Sequence, residues 1–222
     1  MERIRGVVFD FDGVLADTER LQYEKWNLVL KKFGVRISKE EYIRDYVGKS
    51  SKNEIPKLLK EKYEIPISEE ELYSESQKFL ETLFEKKARI IPFALKALKK
   101  ISKRYKIAIA SGESDKQLSM KLKSVKLENY FPPEVRSTEE RAGRGKPYPD
   151  MYILAAKLIG LSPKNCLAFE DTEKGVIAAK NAGLYVIALP NDFTKGQDFS
   201  KADRVVFGGW KEFLRDPHPL EI

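Results

Sequence analysis

Two aspartates at the end of an apolar run carry the first chemical signal. Residues 4–13 read Ile-Arg-Gly-Val-Val-Phe-Asp-Phe-Asp-Gly. The β-branched and aromatic run predicts a buried strand. In an extended backbone, side chains at i and i+2 share a side, so Asp10 and Asp12 face the same way. Carboxylates held that close repel one another, and a neighbouring cation relieves the repulsion. Oxygen ligands around a hard divalent ion, usually magnesium, do this directly. Asp-Gly alone also enters ordinary turns, so the pair needs company.

Two other apolar runs provide it. Residues 106–110 are strand-like and stop at Ser111-Gly112, and residues 166–169 are strand-like and stop at Glu170-Asp171. In an open α/β sheet, ligands sit outside the carboxyl ends of the strands, where the strand order switches. Residues 145–150, Gly-Lys-Pro-Tyr-Pro-Asp, form a loop stiffened by two prolines that presents Lys146. Carboxylates, a hydroxyl and an ammonium are thereby expected at one rim.

Composition removes competing chemistries. The single histidine, His218, lies in a proline-flanked tail, and the single cysteine, Cys166, lies in a predicted central strand. Serine–histidine and cysteine–histidine catalysis and multi-histidine metal sites are therefore disfavoured, and carboxylates must carry the chemistry. One cysteine excludes an internal disulfide and suits a reducing compartment. There is no apolar run of the ~18 residues that a membrane helix needs. The chain enters a strand almost at once, which leaves no room for a signal peptide. A soluble cytoplasmic protein is expected. The net charge is +7, but the basic residues are spread through helices among glutamates. That pattern reads as a solvated surface, not a polyanion groove, so neither nucleic acid nor membrane is an expected partner.

The strand pattern stops after Leu15 and returns only near Lys106. Between them lie helical signatures, including Ser-x-x-Glu boxes at 38–41, 51–54 and 68–71 that each predict a helix start. A first helix over about 18–33 ends at Gly34, with Trp26 and Tyr23 in its apolar stripe. Residues 17–89 thus read as a helical insertion in an α/β core formed by 1–16 and 90–222. From Pro92 onward, helices alternate with strands near 135, 166–169, 185–189 and 204–207. This alternation predicts a doubly wound, parallel, Rossmann-like sheet.

With these motifs in this order, the chain resembles the haloacid-dehalogenase-like superfamily. More narrowly it resembles the β-phosphoglucomutase and phosphoglycolate-phosphatase-like branch with a helical cap. The stretches are residues 10–19, Asp-Phe-Asp-Gly-Val-Leu-Ala-Asp-Thr-Glu; Ala110-Ser111-Gly112; residues 145–150; and residues 169–176, Phe-Glu-Asp-Thr-Glu-Lys-Gly-Val. The resemblance implies a Mg²⁺-dependent phosphatase acting on a small phosphate ester through an aspartyl-phosphate. In that reading Asp10 is the nucleophile and Asp12 the acid and base. Asp10, the backbone carbonyl of Asp12, and Asp171 hold the metal, with Glu170 binding directly or through water. Ser111, the Gly112 N–H and Lys146 hold the phosphoryl group. A monomer or weak homodimer is expected.

The cap is expected to set selectivity through Glu19, Gln22, Tyr23, Lys49 and Lys52. A sugar phosphomutase remains the alternative within the branch. Those mutases carry a histidine where this chain has Gln22 and an arginine near residues 48–52, where it has only Lys49 and Lys52. The branch usually has glycine at Phe93. A receiver-type phospho-acceptor also pairs aspartate with lysine, but at about half this length and without a helical insertion.

Overall fold

The computed structural model describes residues 3–222. The chain divides into two compact units, one of residues 1–17 with 89–222 and the other of residues 18–88.

The first unit is built on six parallel strands: β1 Gly6–Phe9, β2 Lys106–Ser111, β3 Arg136–Thr138, β4 Cys166–Glu170, β5 Tyr185–Ala188 and β6 Arg204–Val205. Their order is β3-β2-β1-β4-β5-β6. The chain steps outward from β1 through β2 to β3, then crosses to the other side of β1 and steps outward again. The reversal lies between β1 and β4, and such a switch opens a crevice at the strands' carboxyl ends. Register makes this specific: Phe9 pairs with both Ile109 and Phe169, so the residues just past β1 emerge level with the ends of β2 and β4.

Side-chain alternation buries both faces of this sheet. Val8, Ala108, Ala110, Ala168 and Ala188 face α8 (Asp150–Leu158) and α9 (Glu173–Asn181), which contribute Met151, Tyr152, Ala155, Val176 and Ala179. The small strand residues let these helices lie close. On the other face, Phe9 stacks on Phe169 at 5.6 Å between ring centroids. Trp210 and Phe213 of α10 (Gly209–Phe213) pack on Phe169 at 4.5 and 4.9 Å. Trp210 Nε1 donates to the Val14 carbonyl at 2.7 Å, tying this ring cluster to the loop after β1. The unit is completed by α5 (Ala94–Ile101), α6 (Asp115–Ser124) and α7 (Glu139–Ala142).

The second unit is all helical: α1 Glu19–Leu30, α2 Lys39–Asp45, α3 Ile55–Tyr63 and α4 Glu69–Lys87. Helices α1 and α4 are its main packed pair, and Trp26, Val29, Leu72 and Phe84 are among its fully buried side chains. Ser68 and Glu71 form a complete capping box. Ser38 caps α2 through the Glu41 N–H.

Local expectations fail in two places. Ser51 does not start a helix; α3 begins at Ile55, and the Glu54 carboxylate instead accepts from the Ser50 N–H at 2.8 Å. Pro56 explains this, because a proline has no N–H and fits only the first turn of a helix. The strand expected at Val135 starts one residue later, since Pro133–Val135 form a 3₁₀ turn. Phe93, where glycine is usual in the branch that the sequence resembles, adopts the left-handed conformation with φ of 68°. Cys166 is buried in β4 and its thiol is pushed up to about 11 by burial, which suits a core residue and not a nucleophile.

Candidate active site

Asp10 lies one residue beyond β1, and its N–H donates to the Phe169 carbonyl at 3.0 Å. Its carboxylate is buried, with Lys146 Nζ at 2.5 Å. The same ammonium donates to Glu170 at the end of β4. Glu170 is saturated as an acceptor. Besides Lys146 it takes hydrogen bonds from the Tyr152 hydroxyl at 2.6 Å, the Asp171 N–H at 2.9 Å, and the Thr172 N–H and hydroxyl at 3.1 Å. A Cβ on Gly175 would lie 1.9 Å from a Glu170 oxygen, so only glycine lets the first turn of α9 pass this carboxylate.

Charge follows from this arrangement. Burial disfavours the ionised form of Asp10, and Glu170 and Asp12 repel it; together they outweigh Lys146 and raise its pKa to about 8. Burial pushes Glu170 the same way, but Lys146, Tyr152 and the Thr172 N–H overcome it and lower its pKa. Burial pushes the Lys146 pKa down, yet Asp10 and Glu170 hold it well above the ordinary lysine range. The centre is an ammonium shared by a glutamate whose ionised form is favoured and an aspartate whose ionised form is disfavoured.

Around that centre stand the other expected residues. Asp12, in the turn after β1, accepts from Lys121 Nζ at 2.7 Å. Asp171 accepts from Asn191 Nδ2 at 2.7 Å. Gly13 has φ of 79°, and a Cβ there would lie 2.0 Å from the Asp171 carboxylate, so the turn passes directly over that group. Ser111 is buried at the end of β2, and its hydroxyl accepts from the Glu113 N–H at 3.3 Å. Gly112 is exposed beside it.

Whether these residues suit a divalent cation is a question of donors and charge. Asp10 and Asp171 are both nearly buried carboxylates, and Asp10 is driven toward protonation by its surroundings. Oxygen donors with excess negative charge fit a hard ion such as Mg²⁺. Among the described residues, no three such side chains are drawn into a ready-made metal cluster. Glu170, expected as a further ligand, spends both oxygens on the donors above.

Of the residues expected to set selectivity, Glu19 accepts from the Tyr42 hydroxyl at 2.7 Å, and the Tyr23 hydroxyl donates to the Ile37 carbonyl at 3.2 Å. Lys49 Nζ donates to the Asp45 carbonyl at 2.5 Å, while Lys52 is exposed. Gln22 is buried and its amide oxygen lies 3.5 Å from Ser51 Oγ.

A match to the family model of haloacid dehalogenase-like hydrolases spans residues 7–189. The chain belongs to that family. This hydrolase is 34% identical over 193 residues to YhcW of Bacillus subtilis, provisionally assigned as a phosphatase, covering 86% of each chain. It is 31% identical over 182 residues to the phosphorylated carbohydrates phosphatase of Thermotoga maritima, covering 82% of each. Its fold superposes on the crystal structure of a T. maritima protein provisionally assigned as a β-phosphoglucomutase, with a TM-score of 0.79. The two are 27% identical, over 98% of this chain and 100% of that one.

The hydrolase also holds site residues that motif reading passed over: Lys121, Glu113, Tyr152 and Asn191. A signal existed for Lys121. It falls on the face of α6 marked by Leu118 and Leu122, where helical spacing calls for an apolar residue. In the helical unit, buried Lys25 breaks the same pattern, with Nζ 3.4 Å from Ser51 Oγ.

Proposed function

We propose that the protein is a Mg²⁺-dependent phosphatase that hydrolyses a small phosphorylated metabolite of the sugar-phosphate or phosphoglycolate type. The observation that carries this reading is the buried Asp10 carboxylate at the β1/β4 switch, 2.5 Å from the Lys146 ammonium. The phosphatase names of its relatives support the class.

An Asp10 oxygen attacks phosphorus, and the P–O bond to the alcohol breaks as Asp12 gives its proton to the leaving oxygen. Asp12, now ionised, takes a proton from the water that attacks the phospho-aspartate, releasing phosphate and restoring both carboxyl groups. Lys146, the Ser111 hydroxyl and the Gly112 N–H stabilise charge on the phosphoryl oxygens. Glu170 braces Lys146, which keeps that ammonium charged and aimed. Asp10, Asp171 and the Asp12 carbonyl are the oxygens proposed for Mg²⁺, which when bound offsets the carboxylates and polarises a phosphoryl oxygen.

The test is release of phosphate from p-nitrophenyl phosphate and from a panel of metabolite esters, with Mg²⁺ and with EDTA. Turnover that needs Mg²⁺ is expected. Turnover that ignores the metal, or none on any ester, overturns the proposal.

A phosphomutase is the second reading, favoured by the end-to-end likeness to the T. maritima protein. It needs a second anion grip in the cap. Gln22 and Ser51 supply only a weak hydrogen-bonded pair there, with Lys25 as the nearby cation. Lysine does not replace the bidentate grip of arginine. Phosphorus NMR of β-glucose 1-phosphate with a trace of the 1,6-bisphosphate separates the two. Glucose 6-phosphate without inorganic phosphate would establish the mutase.

A further inference from the structure

Lys121 is a cation that the phosphatase reading leaves unused. It sits on the buried face of α6 beside Leu118 and Leu122, and its side chain has no solvent exposure. Taking an ammonium out of water costs several kcal/mol, and a leucine would suit this face of the helix. The cost is met at the tip, where Nζ lies 2.7 Å from Asp12 Oδ1 and 2.5 Å from Glu113 Oε1. Burial opposes the charge on Lys121, yet these two carboxylates hold its pKa well above the ordinary lysine range.

The contacts run from one strand end to another. Asp12 belongs to the loop after β1 and Glu113 to the loop after β2, and the Glu113 N–H donates to the Ser111 hydroxyl. Lys121 therefore joins the carboxylate expected to move protons to the loop expected to hold the phosphoryl group.

We propose that Lys121 is a positioning residue: its ammonium clamps Asp12 Oδ1, so that Oδ2 is the oxygen that exchanges protons with the leaving group and with water. This rests on the reading of Asp12 as acid and base. Glu113 holds the ammonium from the far side and keeps the clamp aimed. Without Lys121 the Asp12 carboxylate swings among rotamers, and the esters that need a proton at the leaving oxygen suffer most.

The experiment compares p-nitrophenyl phosphate, whose leaving group departs without a proton, with phenyl phosphate, which has nearly the same shape and a far more basic leaving oxygen. General acid catalysis contributes roughly 10²- to 10⁴-fold where it is needed. Lys121→Met should therefore lower kcat/KM for phenyl phosphate at least about tenfold more than for p-nitrophenyl phosphate, within that general-acid contribution. In an Asp12→Asn background the same substitution should no longer change the ratio, because the group it positions is gone. Glu113→Gln, which keeps Lys121 beside Asp12, should shift the ratio in the same direction by less, and it carries the test if Lys121→Met does not fold. Equal losses on both esters, or an unchanged ratio in Glu113→Gln, overturn the proposal. A wild-type protein inert on both esters defeats the phosphatase reading itself.

Discussion

Replacing Asp10 by asparagine should stabilise the metal-free protein, and more so at pH 8 than at pH 5. In the fold, Asp10 keeps its proton up to about pH 8, against an ordinary value of 3.8. Between those values the native state binds more protons than the unfolded chain, so stability falls as pH rises. At ~1.36 kcal/mol for each pH unit between those two values, the ceiling is roughly 5–6 kcal/mol. Glu170 works in the opposite sense. Its pKa is lowered, so it contributes stability above the ordinary carboxylate range that is lost on acidification. Because both carboxylates share Lys146, the gain from Asp10→Asn is a fraction of the ceiling, about 2 kcal/mol at pH 8, or roughly 4–8 °C in Tm. The asparagine keeps the volume and a carbonyl that still accepts from Lys146. Thermal melts of both proteins in EDTA from pH 5 to 8 measure it. The gap should widen steadily with pH, and Mg²⁺ should narrow it by giving the wild-type carboxylate a partner. A gap that shrinks toward pH 8, or a variant less stable than wild type there, would refute the electrostatic account of Asp10.

Other consequences are equally concrete. Gly175→Ala should cost roughly 1–3 kcal/mol in chemical denaturation, as overpacking does, because its Cβ would lie 1.9 Å from a Glu170 oxygen; an unchanged midpoint would mean that Glu170 is free to move. Phe93→Gly should raise stability by about 1 kcal/mol by removing a left-handed non-glycine residue; a loss instead would show that the phenyl ring's packing matters more. Lys146→Met leaves two buried carboxylates without their shared cation, and should cost about 3–5 kcal/mol in a urea melt along with the activity. Substituting Gln22 or Lys49 should change kcat/KM among metabolite esters more than for p-nitrophenyl phosphate, and uniform losses would argue against a selectivity role.

The sequence by itself determined the architecture, since strand and helix signals are local. An apolar β-branched run, a capping box or a glycine past a helix acts within a few residues, and alternating such elements permits few topologies. The same logic made Asp10, Ser111 and Glu170 legible as strand-end groups and Lys146 as a loop-borne ammonium. Local signals also misled: the Ser51 box looked like a helix start until Pro56 moved the start to Ile55. What only the tertiary structure decided is which charges meet. Lys146 reaches Asp10 across 136 residues of chain, and Lys121 reaches Asp12 across 109. Whether Glu170 braces an ammonium or offers its oxygens elsewhere depends on Tyr152, which lies outside the motif that carries Glu170, together with the neighbouring Thr172. Distance along the chain hides such pairs because a buried charge is stabilised by whatever the packing brings within about 3 Å, where the weak screening of the interior makes a single contact outweigh any local preference.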